Sequence, residues 1–144
     1  NVSAGDKANA INAKSALTGV IASGSNSIDI VLGLGQATMA EHSTATINGV
    51  TVDFSGDTSV KDVVDAVNAA MSGNNDIVAS TTTEGNLQLS SASGATIAVN
   101  DTTATTGGAG KLFVSATYTR DGSTATITSG VGTLRGFIDL TSLD

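Results

Sequence analysis

Two distant stretches of this chain share one pattern. Ala10-Ile11-Asn12-Ala13 is followed by Val20-Ile21-Ala22-Ser23, and Ala66-Val67-Asn68-Ala69 is followed by Ile77-Val78-Ala79-Ser80. Each reads as the end of a helix, a turn, and the start of a buried strand. A helix-to-strand unit used twice suggests a scaffold built by duplication. Neither copy carries a set of catalytic side chains, so the pattern points to a structural or surface module before an enzyme. Asn12 and Asn68 are expected to serve helix ends and turns.

The second unit is the more complete. Thr46-Ile47, Asn48-Gly49 and Val50-Thr51-Val52-Asp53-Phe54 form a hairpin signal, because Asn-Gly supplies the positive φ values of a type I′ turn. Val50, Val52 and Phe54 share one face by the period of two. Ser59 with Asp62 matches a capping box that opens a helix. Val60, Val63, Val64, Val67 and Met71 lie at i, i+3, i+4, i+7 and i+11, one apolar stripe. Lys61, Asp62, Asp65 and Asn68 fill the polar side, and Gly73 with Asn74 ends the helix. β-Branched Val is a modest helix former, so burial must stabilise this helix.

Elsewhere the signals are shorter. A helix is expected from Asp6, with Ala10, Ile11, Ala13 and Leu17 inward and Gly19 as its stop. Val20 to Ser23 reads as a strand, Gly24 to Asn26 as a turn, and Ser27 to Leu32 as a second strand. Residues 35–44 lack a period and read as a connector. Ile77 to Thr81, Leu87 to Leu89 and Ile97 to Val99 read as a meander with turns at Glu84-Gly85 and Ser93-Gly94. Residues 101–110 are rich in Thr, Ala and Gly and read as a surface loop. Lys111 to Thr119 is a strand with Leu112, Val114, Ala116 and Tyr118 on one face. Arg120-Asp121-Gly122 turns it and Thr124 to Thr128 returns. Gly130-Val131-Gly132 breaks the run before a last strand from Leu134 to Leu140. The expected class is α+β: mainly antiparallel β with two short helices packed on the sheets, built from repeated hairpin-helix-strand units. Residues 1–144 are expected to form one domain, with sub-lobes 1–40 plus 101–144 and 41–100 as a possible division.

Composition excludes several functions. The chain has no Cys, so it forms neither disulfides nor thiolate metal sites. Ser and Thr make up about a quarter of it, and aromatics only 3%. The net charge is −7, with six scattered basic residues. Without a basic patch, nucleic acid and anionic membrane are not expected partners. The apolar run at Ile28-Asp29-Ile30-Val31-Leu32 is too short to span a bilayer. No leader pattern is visible, and the chain is expected to be an excised piece of a longer protein.

Each candidate for chemistry has a plainer reading. His42 is the single His and sits in the aperiodic segment without a nucleophile-elbow pattern. Asp53, Asp57, Asp62 and Asp65 cluster in sequence. However, Asp62 and Asp65 fit a solvated helix side, and no Asp-x-Asp-x-Asp-Gly loop exists. Gly33-Leu34-Gly35 and Gly107-Gly108-Ala109-Gly110 lack the Lys-Ser/Thr or helix that a phosphate cradle needs. Asn100-Asp101-Thr102 fits the glycosylation pattern, which is common by chance. No catalytic, cofactor-binding or metal residue is assigned, and no cofactor is expected.

Ala45-Thr46-Ile47-Asn48-Gly49-Val50-Thr51-Val52, the capped helix ending Val64-Asp65-Ala66-Val67-Asn68-Ala69, Ile77-Val78-Ala79-Ser80 and Asn86-Leu87-Gln88-Leu89-Ser90-Ser91 resemble the flagellin IN motif. Ile11-Asn12-Ala13-Lys14-Ser15 with Thr18 to Ser23 resembles the second half of another copy, whose hairpin would lie upstream or was lost. Residues 101–144 share only composition. The resemblance implies a non-enzymatic, surface-exposed variable domain of bacterial flagellin. That domain contributes to the motility filament's surface, subunit contacts and antigenicity. Val60, Val63, Val64 and Val67 would be core and Asn48-Gly49 the turn. The implied partners are other flagellin subunits and host immune receptors or antibodies. The implied location is the extracellular flagellum, reached through the flagellar export apparatus. The alternatives are an outer domain of a hook-associated or filament-cap protein, and a glycan-binding adhesin module using the Thr-rich loop.

Overall fold

A computed structural model describes residues 2–34, 44–73, 76–101, 112–128 and 130–143. Among them, the chain forms three short helices and ten strands in the order α1 (Ala4–Asn12), α2 (Ser15–Thr18), β1 (Val20–Leu32), β2 (Thr44–Ile47), β3 (Val50–Asp53), α3 (Val60–Met71), β4 (Ile77–Thr81), β5 (Leu87–Ser91), β6 (Ile97–Asn100), β7 (Phe113–Tyr118), β8 (Thr124–Ala125), β9 (Val131–Leu134) and β10 (Phe137–Ser142). The class is α+β, mainly antiparallel β.

The hairpin and capped helix form where the sequence places them. Asn48 and Gly49 take φ values of 50° and 80°, and Ile47 pairs with Val50 across the turn. Ser59 Oγ accepts from the Asp62 N–H at 3.2 Å, and Asp62 Oδ2 accepts from the Ser59 N–H at 3.1 Å. Val63, Val67 and Met71 are buried, with Val60 and Val64 packed against the same core. Phe54 closes the end of the β2–β3 hairpin in full burial.

The strands make two sheets. The first runs β4-β5-β1-β7-β8, with β10 also on β1; the second runs β3-β2-β6-β9. A single apolar cluster joins them. It takes Ile28, Leu87, Leu89 and Phe113 from the first sheet, Ile47, Val52, Ile97 and Leu134 from the second, and the inner stripe of α3. β5 therefore pairs with β1 and β6 with β9, linking segments 1–40 and 101–144 to segment 41–100.

A third short helix, α2, adds to the two expected, and β8 covers only Thr124–Ala125 of the return expected over Thr124 to Thr128. The structure departs from the sequence reading in five further places. First, Gly24 to Asn26 is no turn: β1 runs unbroken through it. Gly24 is there because α1 lies on it. A Cβ at Gly24 would stand 2.8 Å from Gly5 N. Glycine inside a strand often marks such an approach of two backbones. Second, α1 starts at Ala4 under its own capping box, Ser3 with Asp6, and buries Ala4 and Ala8 rather than the side carrying Ala10 and Leu17. Only small side chains fit against Gly24, and Leu17, in the separate turn α2, is 85% exposed.

Third, the meander stops after β5. β6 crosses to the second sheet and pairs with β2 and β9. Fourth, β7 carries a bulge. Val31 pairs with Ser115 but Leu32 pairs with Phe113, so Val114 is the extra residue, and it faces out while Phe113 is fully buried. A bulge resets the alternation that the period of two assumes. Fifth, residues 134–140 are not one strand. Leu134 ends β9 in the second sheet and Phe137 starts β10 in the first. Gly136 makes this crossing, where a Cβ would lie 2.6 Å from Ser25 O.

The close approach of α1 to β1 generates a prediction. Gly24→Ala should lower stability by about 1–3 kcal/mol through forced separation of α1 from β1. Urea unfolding should show a lower midpoint with α1 loosened. An unchanged midpoint would contradict the packing described.

Candidate functional site

Several described asparagine side chains bind the backbone of the chain itself. Asn68 lies inside α3, not at its end. Its Nδ2 donates to Ala79 O at 3.0 Å, and its Oδ1 accepts from Ala79 N–H at 2.8 Å. Asn12, the last residue of α1, makes the same pair of bonds with Ala22, at 2.8 and 2.7 Å. In an antiparallel strand both backbone groups of one residue point to the same side. Ala79 lies opposite Leu89 of β5 and Ala22 opposite Leu140 of β10, and each turns its N–H and C=O to the asparagine. The side-chain amide thus stands in for a neighbouring strand, and each helix is fixed to the strand that follows it.

A third asparagine extends this. Asn48 N–H donates to Ala98 O at 2.8 Å, while Asn48 Oδ1 accepts from Ala98 N–H at 2.7 Å. Here the side-chain oxygen replaces a carbonyl that the turn has rotated away. Asn26 is buried between the layers. Its Nδ2 donates to Ala95 O at 2.9 Å and Leu134 O at 2.8 Å, tying β1 to both segments that lead into and out of the second sheet.

The acidic cluster is likewise structural. Asp53 Oδ1 accepts from Ser55 N–H at 2.8 Å, Asp62 caps α3, and Asp65 pairs with Lys61 at 2.5 Å on the exposed helix side. The Thr58 backbone N–H, then the Ser59 hydroxyl contact, hold the Asp62 carboxyl below its usual range. Asp57 differs. Burial, then the charges of Asp62, Asp53 and Asp65, push its carboxyl up, and its buried Oδ2 has no hydrogen-bond partner among the described residues. Among the described residues no group of three or more His, Asp or Glu is placed to hold a metal ion.

Asp76 performs a similar structural task at the start of β4. Its Oδ2 accepts from Ser91 Oγ at 2.7 Å and from Ser93 N–H at 3.0 Å. Burial pushes this carboxyl up, but the Ser93 and Ser91 hydrogen bonds outweigh it and hold it below its usual range.

A cleft of about 270 Å³ lies between α1, β1 and the turn at Ala92-Ser93. Its carboxylate, Asp6, is engaged in the capping box, and its Asn12 amide is bound to Ala22. Both groups are therefore held by the chain's own hydrogen bonds. Of the other sequence candidates, Gly33 N–H donates to Leu112 O at 2.9 Å in an ordinary strand extension. Asn100 ends β6 exposed, beside buried Asp101. His42, Gly35, Thr102 and residues 107–110 lie outside the described residues. No helix among the described residues is long and apolar enough to cross a membrane.

The sequence reading missed the amide bridges. The signal for them was present as a spacing: Ser3, Asp6 and Asn12 recur as Ser59, Asp62 and Asn68, with nine residues from cap to amide in both.

Two predictions follow from these bonds. Asn68→Ala should cost about 1–3 kcal/mol, because Ala79 loses both partners at once. Asn68→Asp keeps the acceptor but loses the donor and sets a carboxylate against Ala79 O, so it should be at least as damaging. Urea unfolding of both variants checks this, and wild-type midpoints would remove the bridge from the account. The second prediction concerns pH. Asp62 titrates lower in the fold than in the unfolded chain, so its stabilisation is present above the unfolded carboxylate range and is lost as pH falls through the folded value. Asp57 titrates higher in the fold, so its charge opposes folding at neutral pH and that cost is relieved as acid protonates it. Asp57→Asn should therefore raise the urea midpoint at pH 7, and Asp62→Asn should lower it. The Asp57 difference should shrink as pH falls through its raised folded value, and the Asp62 difference only as pH falls through its lowered one.

Residues 41–93 match the family described as the flagellin hook IN motif. The match spans just over a third of the chain, and within it lie the β2–β3 hairpin, α3, β4 and β5. It supports a flagellin-related domain. No curated protein matches the chain.

Proposed function

We propose that this chain is a non-catalytic structural domain of a bacterial flagellar filament protein, projecting from the filament surface. The observation that carries the reading is the coincidence of the matched segment, 41–93, with one complete hairpin–helix–strand–strand unit. Asp62 and Ser59 of that unit serve the helix cap and Asn68 the bridge to β4, which suits a scaffold.

On this reading α1, β1 and β10 form a second, split copy of the unit made by α3, β4 and β5. Three observations support it. The cap-to-amide spacing is the same, both asparagines bridge an Ala, and the strand registers agree. Val20, Ile21 and Ala22 face Ser142, Thr141 and Leu140, as Ile77, Val78 and Ala79 face Ser91, Ser90 and Leu89. The rest of the domain is then inserted between the two strands of the split copy. The copies differ in burial: Leu89 is fully covered, whereas Leu140 is 64% exposed.

The same reading makes residues 1–144 one outer domain of a longer protein. The parent assembles with other flagellin subunits, lies outside the cell on the flagellum, and presents this surface to antibodies or immune receptors. The word "hook" in the matched family's description favours, as second reading, a hook-associated or cap protein.

Deletion of residues 1–144 from the parent protein tests the proposal. Filaments should still assemble and should lose labelling by antibodies raised against the isolated domain. Complete failure of assembly would overturn a projecting role. In the intact parent, label along the whole filament supports flagellin, and label confined to the hook junction or tip supports the second reading.

A further inference from the structure

An asparagine followed by glycine carries chemistry of its own. The glycine backbone nitrogen can attack the asparagine Cγ. The side-chain nitrogen then leaves as ammonia, a succinimide ring remains, and water reopens it to aspartate or isoaspartate. Glycine is the least hindered successor, and Asn48-Gly49 is the single Asn-Gly pair in this sequence. Gly49 is exposed, with open space where a Cβ would stand.

The fold opposes the attack in two ways. Ala98 N–H holds Asn48 Oδ1 at 2.7 Å, which keeps the side-chain carbonyl against β6. The turn also fixes Asn48 at φ 50° with its own N–H bonded to Ala98 O at 2.8 Å. Ring closure needs Cγ brought onto Gly49 N, a near-attack geometry that requires the turn and the anchor to release together. The comparable pair, Asp121-Gly122, is disarmed differently. Gly122 N–H is engaged with Tyr118 O at 2.8 Å, and Asp121 Oδ1 accepts from the Ser123 hydroxyl at 2.6 Å and its N–H at 2.9 Å, so the carboxylate stays ionised and is a poor electrophile.

We propose that Asn48-Gly49 is a self-modification site kept latent by β6: separation of the β2–β3 hairpin from Ala98 commits residue 48 to cyclisation. The consequence is irreversible. Isoaspartate adds a methylene to the main chain inside a two-residue loop, so the Ile47–Val50 register cannot reform as it stood. Aspartate, by contrast, retains the oxygen that Ala98 N–H needs.

The test uses the intact chain at pH 8 and 37 °C, in buffer and in urea, with peptide mapping by mass and an isoaspartate assay. Conversion at residue 48 should be roughly tenfold or more faster in urea, because native opening is rare. Equal rates in the two solvents would overturn the latency. A second measurement compares refolding of Asn48→Asp with refolding of aged chain enriched in isoaspartate. The Asp variant should regain the hairpin with its amide protection, and the aged chain should not. Recovery of the wild-type unfolding midpoint by the isoaspartate form would contradict the proposed consequence.

Discussion

The fold depends on one problem that every sheet edge poses. A strand presents N–H and C=O groups on both sides, and those without a neighbour must find a partner or lose free energy. Here an asparagine amide solves it by imitating a peptide group. It offers one donor and one acceptor at the spacing of a single strand residue, as seen at Asn12 with Ala22 and Asn68 with Ala79. Because each asparagine is on a helix, the same bonds that satisfy the strand also set the height and rotation of the helix over the sheet. Ser3 and Ser59, nine residues earlier, fix where each helix begins. Cap and bridge together define the unit.

The two capped and bridged helices are used differently. α3 carries bulky Val63, Val67 and Met71 and becomes one wall of the shared core, with Phe54 and Val52 of the hairpin packed beside it. α1 carries Ala4 and Ala8 and lies almost directly on the β1 backbone at Gly24. Helix side-chain size therefore selects between a thick contact that builds a core and a thin contact that fastens a helix to a strand. β1 pairs with β10 along its first half and with β5 and β7 along its second, so it connects both arrangements. Arg120, paired with Asp139 at 2.5 Å and stacked on Phe137, holds the β7–β8 turn to β10.

Local chemistry was legible in the sequence and long-range packing was not. Asn48-Gly49, Ser59 with Asp62, and the Val60 to Met71 stripe each encode their structure within a few residues, and the hairpin and α3 follow them closely. Gly24 was misread because a glycine that admits another backbone looks the same in sequence as a glycine in a turn. Val114 was misplaced because a bulge resets the alternation without altering composition. Leu134 to Leu140 read as one strand because nothing local reports that Gly136 passes between sheets. The resemblance read at Ala45 to Ser91 falls within the matched segment, whereas the one read at Ile11 to Ser23 lies outside it. The pairing of β1 with β10 was hidden by more than a hundred residues of intervening chain. The bridges of Asn12 and Asn68 were hidden too, since an asparagine near a helix end ordinarily reads as a cap or turn residue.

Hydrogen exchange at the amides of Ala22 and Ala79 tests the central claim most directly. Both N–H groups point away from their paired strands, and the asparagine side chains are the acceptors named for them. If the amide bridges fasten helix to strand, both should exchange only with global unfolding, as slowly as core strand amides such as that of Leu89. Exchange of either at the rate of an open, unprotected edge would contradict the account.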